Sequence, residues 1–215
     1  MLEKVSRTFA INIKVLPFSW KKPILLAYLF CRIADTVEDD PIMDGETKKE
    51  HLTRFRAIFE NTHSQQSARE ASEEFTNYLP DSWKSSDNTD YNHILSHYTQ
   101  WPLESFLNLS DANVAVIGKW VREMCDGMIA FGLKERVENR LVSLDTVAEL
   151  EEYCYYVAGT VGYMLSDLFF NYSTLITVKK YQSLTALSNS FGLGLQLTNI
   201  IKDVAEDMQR NICFI

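Results

Sequence analysis

The chain has 215 residues, of which 46% are hydrophobic, and its formal net charge is −8. This length and composition allow a core sufficient for one domain, which excludes an intrinsically disordered protein. The acidic balance, without a basic patch in the sequence, excludes nucleic acid as a partner because its phosphates would be repelled.

Apolar residues recur at helical spacing along most of the chain, and strand patterns are nearly absent. The sequence therefore predicts an all-α fold in which residues 1–215 form one helical bundle. Pro23 suits the first turn of its helix, and Thr146 with Glu149 forms a capping box. Residues 80–90 are the predicted exposed loop. The predicted helices span residues 6–16, 23–39, 47–60, 68–79, 90–99, 110–132, 146–170 and 178–210.

The helix predicted at residues 23–39 carries a polar stripe. Four side chains spaced i, i+4, i+7 and i+11 lie on one narrow face: Tyr28, Arg32, Asp35 and Asp39. A solvated face rarely includes tyrosine, and a core face does not hold two carboxylates and a guanidinium. The stripe therefore predicts the wall of a wet, partly enclosed cavity.

A second acidic stripe lies near the end of the chain, on the helix predicted at 178–210. An amide and two carboxylates recur at i, i+4 and i+8: Asn199, Asp203 and Asp207. Carboxylates at this spacing repel each other, and a cation relieves the repulsion. Mg²⁺ suits these ligands because it keeps waters and bridges one or two carboxylates to substrate phosphates. Solvated surface is the alternative for such pairs, and Asp40/Asp44, which spans Pro41, is a chance match.

No other residue pattern indicates a different kind of site. His93 and His97 have the spacing of a metal pair, but their aromatic neighbours favour a helical surface over zinc. Residues 181–201 are uncharged, yet their polar side chains argue against a membrane helix. No signal peptide is visible, so we expect a cytoplasmic protein. The cysteines are predicted to be buried free thiols of a reducing compartment: Cys31, Cys125, Cys154 and Cys213.

Four segments carry a resemblance when they are taken together and in order. They are residues 6–9 (SRTF), 28–40 (YLFCRIADTVEDD), 153–162 (YCYYVAGTVG) and 196–210 (QLTNIIKDVAEDMQR). The chain resembles the squalene/phytoene synthase family in these segments, and the similarity extends over nearly its whole length. The resemblance implies an isoprenoid-synthase-type helical bundle with a central cavity.

The resemblance also implies an activity. Members of the family are transferases that join two farnesyl or geranylgeranyl diphosphates head to head, through a cyclopropylcarbinyl diphosphate, to squalene, dehydrosqualene or phytoene. Polyprenyl diphosphates are therefore the expected partners, with Mg²⁺ assisting the loss of diphosphate. The reductive branch would need NADPH, which the sequence does not support, because Gly192 and Gly194 lie within a helix and not in a nucleotide-binding turn.

Residue roles follow from the same resemblance. Tyr153 is expected beside the reacting carbons, with a core tyrosine as the alternative, and Tyr28 and Arg32 are further catalytic residues. Arg7, Arg32 and Lys202 would hydrogen bond to diphosphate, with ion pairs to neighbouring aspartates as the alternative. The predicted Mg²⁺ ligands are Asp35, Asp39, Asn199, Asp203 and Asp207. The predicted substrate-binding residues are Ser6, Arg7, Phe9, Tyr28, Arg32, Gly127, Val157, Gly159, Gln196 and Lys202.

One face of the helix predicted at 146–170 is nearly bare of side chains. Gly159, Gly162 and Ser166 follow each other at i, i+3 and i+7 on this face. Close helix packing is one interpretation. The acidic stripes favour the other, a channel for a hydrocarbon tail whose adaptable apolar wall would include Met124, Gly127, Met128 and Phe131.

Some functional alternatives remain open from the sequence. Family members continue beyond the second acidic stripe through helices that close the cavity, so we expect a chain ending at Ile215 to be incomplete and poorly active. Head-to-tail chain elongation and a non-catalytic helical scaffold are the alternative functions. Retention of paired metal ligands argues against a scaffold. Peripheral membrane contact is a further expectation, for product release.

Overall fold

The computed structural model describes residues 2–6, 8–60, 62, 64–132, 142–209 and 212–214, which form a bundle of helices as predicted. A π-helical segment, Tyr155–Gly159, lies between the helices Val147–Cys154 and Thr160–Tyr172. The two-residue strands β1 (Val142–Ser143) and β2 (Ile212–Cys213) pair in parallel. Helices α1 to α12 are Leu2–Val5, Thr8–Lys14, Phe18–Glu38, Gly45–Ala57, Gln65–Tyr78, Asp81–Lys84, Tyr91–His97, Gln100–Leu107, Asp111–Gly132, Val147–Cys154, Thr160–Tyr172 and Val178–Gln209.

The main core lies beneath one face of α3. Phe30 is fully buried, and its ring centroid lies 4.9 Å from that of Phe59 and 5.3 Å from that of Phe106, both edge-on. Phe55 and Phe75 extend the cluster to α4 and α5. Each such ring pair adds about 0.5–1.5 kcal/mol to the burial of its area. The cluster holds α3 firmly and leaves another face of this helix for the polar stripe.

Helix α3 begins at Phe18, so Pro23 lies inside the helix and not in its first turn as predicted. The carbonyl oxygen of Pro17 accepts hydrogen bonds from the N–H groups of Trp20 (3.0 Å) and Lys21 (3.1 Å). The helix is thus already formed when the chain reaches Pro23, which costs one backbone hydrogen bond. The prediction that Pro23 opens the helix is wrong because Pro17 and the residues after it nucleate an earlier turn.

The predicted exposed loop at residues 80–90 contains the short helix α6. Trp83 on α6 is buried, and its ring stacks on His93 with centroids 4.1 Å apart. This contact explains His93 as part of an aromatic pair, consistent with the preference for a helical surface over zinc. Helix α8 was also absent from the sequence prediction, although Pro102 lies in its first turn, where a proline is tolerated.

The helix predicted at residues 146–170 is interrupted. Its start agrees with the prediction, since Thr146 Oγ1 accepts a hydrogen bond from the N–H of Glu149 at 3.1 Å. The Glu149 carboxylate in turn accepts from the N–H of Asp145 at 2.6 Å. The π-helical segment Tyr155–Gly159 then adds a residue to one turn, which rotates the following helix relative to α10.

The bare glycine face packs against α12. A Cβ on Gly162 would lie 2.7 Å from the carbonyl oxygen of Ser188, and one on Gly192 would lie 2.5 Å from the backbone nitrogen of Gly159. The hydroxyls of Ser166 and Ser188 are hydrogen bonded at 3.1 Å. The prediction of a channel along this face is therefore wrong, because the two backbones approach so closely that they leave no space for a ligand.

Two further predictions concerned the cysteines and a membrane-spanning helix. The four cysteines are free thiols, but Cys213 in β2 is half-buried and not buried as predicted, unlike the other three. Among the described residues, no helix combines the length and apolarity needed to cross a bilayer.

Replacing Gly162 by alanine should destabilise the protein, since the added Cβ would meet the Ser188 carbonyl at 2.7 Å. We expect the free energy of unfolding in urea to fall by about 1–3 kcal/mol. Gly194→Ala is the matched control, because its Cβ meets no atom within 4 Å and alanine favours the helix by about 1 kcal/mol. Equal stability of the Gly162→Ala variant and the original protein would contradict the close packing of α11 on α12.

Candidate active site

Arg32 is held on the polar stripe of α3 by two neighbours. Its Nε donates a hydrogen bond to Asn92 Oδ1 at 3.1 Å, and its Nη1 lies 3.9 Å from Asp35 Oδ2. A guanidinium has five N–H donors, so these contacts leave several of them available to another anion. Asn92, at the start of α7, thus orients a cation whose remaining donors face the cavity.

The carboxyl group of Asp35 is strongly perturbed by its surroundings. Burial is the first cause that raises its pKa, to about 7, and the neighbouring charge of Asp39 adds to this, whereas Arg32 opposes it. About a third of the side chain, 35%, still contacts the open cavity. A cation placed there would favour the ionised carboxylate.

Tyr28 and Phe9 form an aromatic pair at the entrance to the same stripe. Their ring centroids are 5.7 Å apart, and the Tyr28 hydroxyl donates to the carbonyl oxygen of Val5 at 3.1 Å. Ser6 Oγ accepts a hydrogen bond from the N–H of Phe9 at 3.1 Å, which orients the start of α2. Burial raises the pKa of the Tyr28 phenol, so the hydroxyl stays neutral.

The acidic stripe of α12 combines an ion pair with a buried carboxylate. Lys202 Nζ lies 3.1 Å from Asp203 Oδ2, and the two side chains are 67% and 37% exposed. An ion pair of this kind contributes little to stability, so little energy opposes reorientation of Lys202 toward another anion. Asp207, one turn further along, is only 6% exposed.

Both stripes line a single cavity of about 1140 Å³. The carboxylates come from the last turns of α3 and α12, whereas earlier turns of both helices contribute apolar side chains. Its volume exceeds the range of about 300–1,000 Å³ typical of small-ligand pockets. The apolar lining includes Phe9, Ile13, Leu16, Ile24, Ala27, Met124, Phe131, Val157, Val161, Met164, Leu165, Phe169, Phe191 and Leu195.

Tyr153 lies in the cavity wall between two aromatic rings. It stacks on Phe214 with centroids 4.8 Å apart and contacts Phe131 edge-on at 5.7 Å. Burial, followed by the negative charges of Glu38 and Asp39, raises its pKa well above the ordinary value. The pairing of β1 with β2 brings Phe214 to this position.

Comparison with known proteins identifies the family. A family model described as squalene/phytoene synthase matches residues 2–215. The chain belongs to the squalene/phytoene synthase family. This membership confirms the resemblance found in the sequence and agrees with the all-α isoprenoid-synthase fold of the bundle.

Individual relatives show how far the similarity extends. The chain is 33% identical over 214 residues to the squalene synthase of Schizosaccharomyces pombe, covering 98% of this chain and 42% of that protein. It is 35% identical over 211 residues to squalene synthase BSS of Botryococcus braunii, covering 97% and 39%. A solved complex of TcSQS with the ligand BPH1237 superposes with a TM-score of 0.71 at 30% identity, covering 96% of this chain and 52% of that chain. The chain thus spans less than half the length of these curated relatives.

The cavity brings together most of the predicted site residues of this family member. Ser6 and Gly127 are not in its lining; Gly127 packs under the ring of Tyr156. Gly159 was predicted to lie beside the substrate, but in the structure it faces α12 instead. Arg7 lies outside the described residues. The lining includes Phe9, Tyr28, Arg32, Asp35, Asp39, Tyr153, Val157, Gln196, Asn199, Lys202, Asp203 and Asp207.

Several residues of the site were not predicted. Glu38 and Glu206 also line the cavity, and a signal for both was present, since each follows a predicted ligand by three residues on its helix. Lys48 of α4 lines the cavity and donates a hydrogen bond to the carbonyl oxygen of Glu38. Asn92 and Phe214 had no local signal, because they reach the site only through tertiary packing.

The donor chemistry of the cavity fits Mg²⁺. Its acidic part offers carboxylate and amide oxygens, the ligands that this ion prefers. Across the described ranges, no three His, Cys, Asp or Glu side chains converge closely enough to hold one ion. Each stripe supplies two carboxylates, and water and substrate oxygens would complete the octahedral coordination.

Asp35→Asn should stabilise the metal-free protein at alkaline pH. The pKa of Asp35 is about 7 in the fold against 3.8 ordinarily, so the folded state retains a proton that the unfolded state releases. Stability therefore falls as pH rises through that interval. In EDTA we expect the variant to have the higher Tm at about pH 8 and a clearly smaller advantage at about pH 5.

A surface substitution provides the control for this measurement. Asp87→Asn, outside the cavity lining, should leave Tm unchanged at both pH values. A pH-independent difference between the Asp35→Asn variant and the original protein would contradict the perturbed carboxyl group.

Proposed function

We propose that this chain forms the diphosphate-ionising centre of a prenyltransferase that joins two farnesyl diphosphates head to head, through a cyclopropylcarbinyl diphosphate. One observation carries the proposal: carboxylate pairs from α3 and α12 line a single cavity whose wall also includes a large set of apolar side chains. A polyprenyl diphosphate has the same division into a charged head and a hydrocarbon tail. The relatives named squalene synthases support squalene as the product, with geranylgeranyl diphosphate and the dehydrosqualene and phytoene branches as alternatives.

The first step is loss of diphosphate from an allylic carbon. Mg²⁺, held by Asp35 and Asp39 on one side and by Asn199, Asp203 and Asp207 on the other, would neutralise the charge that develops on the leaving group. Arg32 and Lys202 donate charge-assisted hydrogen bonds to the same oxygens. Asn92 keeps the Arg32 guanidinium oriented, so less entropy is lost when the anion binds.

The resulting carbocation must meet an alkene before it meets water. The apolar lining excludes water from the hydrocarbon part of the cavity. The rings of Phe9, Tyr28 and Tyr153 present π faces that stabilise positive charge. Burial keeps the Tyr153 phenol neutral, so it would relay the proton lost when the cyclopropane ring closes: its oxygen takes up that proton as its own hydroxyl proton passes to the diphosphate released in the first step.

A thiodiphosphate analogue of farnesyl diphosphate, which does not ionise, tests the binding step without requiring turnover. Calorimetry should detect binding in Mg²⁺ and none in EDTA. We expect Asp35→Asn and Asp203→Asn each to weaken it at least tenfold, because each removes a metal ligand. The Asp87→Asn variant, with the same loss of charge outside the cavity, should bind like the original protein.

The same titration distinguishes the alternative of a non-catalytic scaffold. A scaffold would bind the analogue weakly or without dependence on Mg²⁺. Undiminished affinity in both aspartate variants would rule out the proposed metal role.

Asn92→Ala should weaken the affinity for pyrophosphate in Mg²⁺ about fivefold, since one hydrogen bond that orients Arg32 contributes about 1 kcal/mol. Asn108→Ala is the control. The Asn108 side chain donates to the Glu104 carbonyl at 2.7 Å on the surface of α8, away from the cavity lining. Equal affinities of the two variants would show that Asn92 does not position the guanidinium.

Product analysis tests the chain length and the reaction branch. Farnesyl and geranylgeranyl diphosphates, each with and without NADPH, should yield a head-to-head hydrocarbon from the shorter substrate, identified by mass spectrometry. A longer linear diphosphate would instead indicate head-to-tail elongation.

A further inference from the structure

Cavity-lining side chains recur at a constant spacing along the chain from α10 to α11. Five of them follow each other at intervals of four residues: Tyr153, Val157, Val161, Leu165 and Phe169. In an uninterrupted α-helix, four residues exceed a full turn by about 40°, so side chains at this interval drift around the axis. Over four intervals the drift reaches about 160°, which would place Tyr153 and Phe169 on nearly opposite sides of the helix.

The π-helical segment Tyr155–Gly159 compensates for this drift. The N–H of Thr160 bonds to the carbonyl oxygen of Tyr155, five residues before it, which is the hydrogen bond of the wider turn. Such a turn holds about one residue more than an α-helical turn, so it takes up about 100° of the rotation. The remaining drift is only about 60°, which keeps all five side chains on the side of the cavity.

A single stripe of α9 holds the π-helical segment. Glu123, Gly127 and Phe131 recur on this stripe at intervals of four residues. Glu123 Oε1 accepts a hydrogen bond from the hydroxyl of Tyr155 at 3.1 Å. Gly127 leaves room for the ring of Tyr156, which a Cβ at this position would overlap. Neither Glu123 nor Gly127 lines the cavity, so both act on it only through the two tyrosines.

The hydrogen bond between Tyr155 and Glu123 is suited to fixing the segment. Both side chains are half-buried. Burial is the first cause that raises the pKa of the Tyr155 phenol, to about 12, and the charge of Glu123 adds to it. The phenol is therefore a permanent donor at neutral pH. A hydrogen bond from a hydroxyl to an ionised carboxylate is about twice as strong as one between neutral groups.

We propose that Glu123 is a positioning residue of the active site. Through Tyr155 it fixes the π-helical segment, and the segment keeps Tyr153 aligned with the apolar wall that α11 contributes to the cavity. That this wall receives a hydrocarbon tail rests on the proposed function, whereas the alignment itself does not. If the hydrogen bond served stability alone, its loss would lower Tm without changing which part of a ligand is recognised.

Tyr155→Phe tests this role by removing the donor. We expect the variant to bind the thiodiphosphate analogue of farnesyl diphosphate in Mg²⁺ about fivefold more weakly, the equivalent of one hydrogen bond. Inorganic pyrophosphate, which has no tail, should bind normally. Tyr181→Phe is the matched control, because it also removes a hydrogen bond from a tyrosine to a carboxylate, that of Asp167 at 2.7 Å, outside the cavity lining. Both variants should lose a similar Tm, but only Tyr155→Phe should change the ratio of the two affinities.

Substitutions of the acceptor complete the test. Glu123→Ala should reproduce the effect of Tyr155→Phe, and the double variant should be no weaker than either single one. Glu123→Gln should restore the ratio, since an amide oxygen accepts the same hydrogen bond. Equal weakening of the farnesyl analogue and of pyrophosphate, or the same ratio in the Tyr155→Phe and Tyr181→Phe variants, would overturn the proposal.

Hydrogen–deuterium exchange separates this outcome from that of the proposed function, because it needs no ligand. Backbone amides of residues 155–161 should exchange faster in the Tyr155→Phe and Glu123→Ala variants than in Tyr181→Phe. Unchanged exchange would overturn the positioning role even if the farnesyl analogue binds. Faster exchange in a protein that binds neither the analogue nor pyrophosphate would count against the proposed function and support the role of Glu123 in holding the segment.

Discussion

Repulsion among carboxylates in one half-enclosed cavity is the constraint on which the rest of this structure depends. Six acidic side chains line the space between α3 and α12: Asp35, Glu38, Asp39, Asp203, Glu206 and Asp207. Burial of Asp35, together with the neighbouring charge of Asp39, raises the pKa of Asp35 to about 7. Cations relieve the repulsion among these carboxylates, and the fold supplies Arg32, Lys48 and Lys202. The carboxylate oxygens also remain available as ligands for Mg²⁺.

The bundle maintains this unfavourable arrangement through two packed interfaces away from the carboxylates. Behind α3, the phenylalanine cluster around Phe30 binds the helix to α4 and α8, so its polar stripe cannot turn away. Behind α12, the glycines Gly159, Gly162 and Gly192 bring the helix against α11 at backbone distance. The position of each acidic stripe is therefore set by close packing, and the free energy of that packing offsets the repulsion.

The polarity of the bundle matches that of the molecules we propose it binds. Metal ligands and cations lie at the ends of α3 and α12, whereas aromatic and aliphatic side chains follow toward their starts, where acidic residues are absent. One pair of helices thus runs from a region suited to diphosphate to a region suited to hydrocarbon. Tyr153 lies between the two, in contact with an aromatic wall and within the field of Glu38 and Asp39.

The sequence by itself determined the all-α class, both acidic stripes and most of their neighbours, because helical periodicity is a property of contiguous residues. The sequence also contained a signal for Glu38 and Glu206, their spacing of three residues from a predicted ligand, which the prediction did not use. Tertiary structure decided the other features of the fold and of the site. Packing between segments far apart in the chain determines whether the glycine face lines a channel or packs on α12. The same packing determines where α3 begins relative to Pro23. It also determines which distant residues, such as Asn92 and Phe214, reach the site. No local pattern of residues encodes the free energy of packing between distant segments.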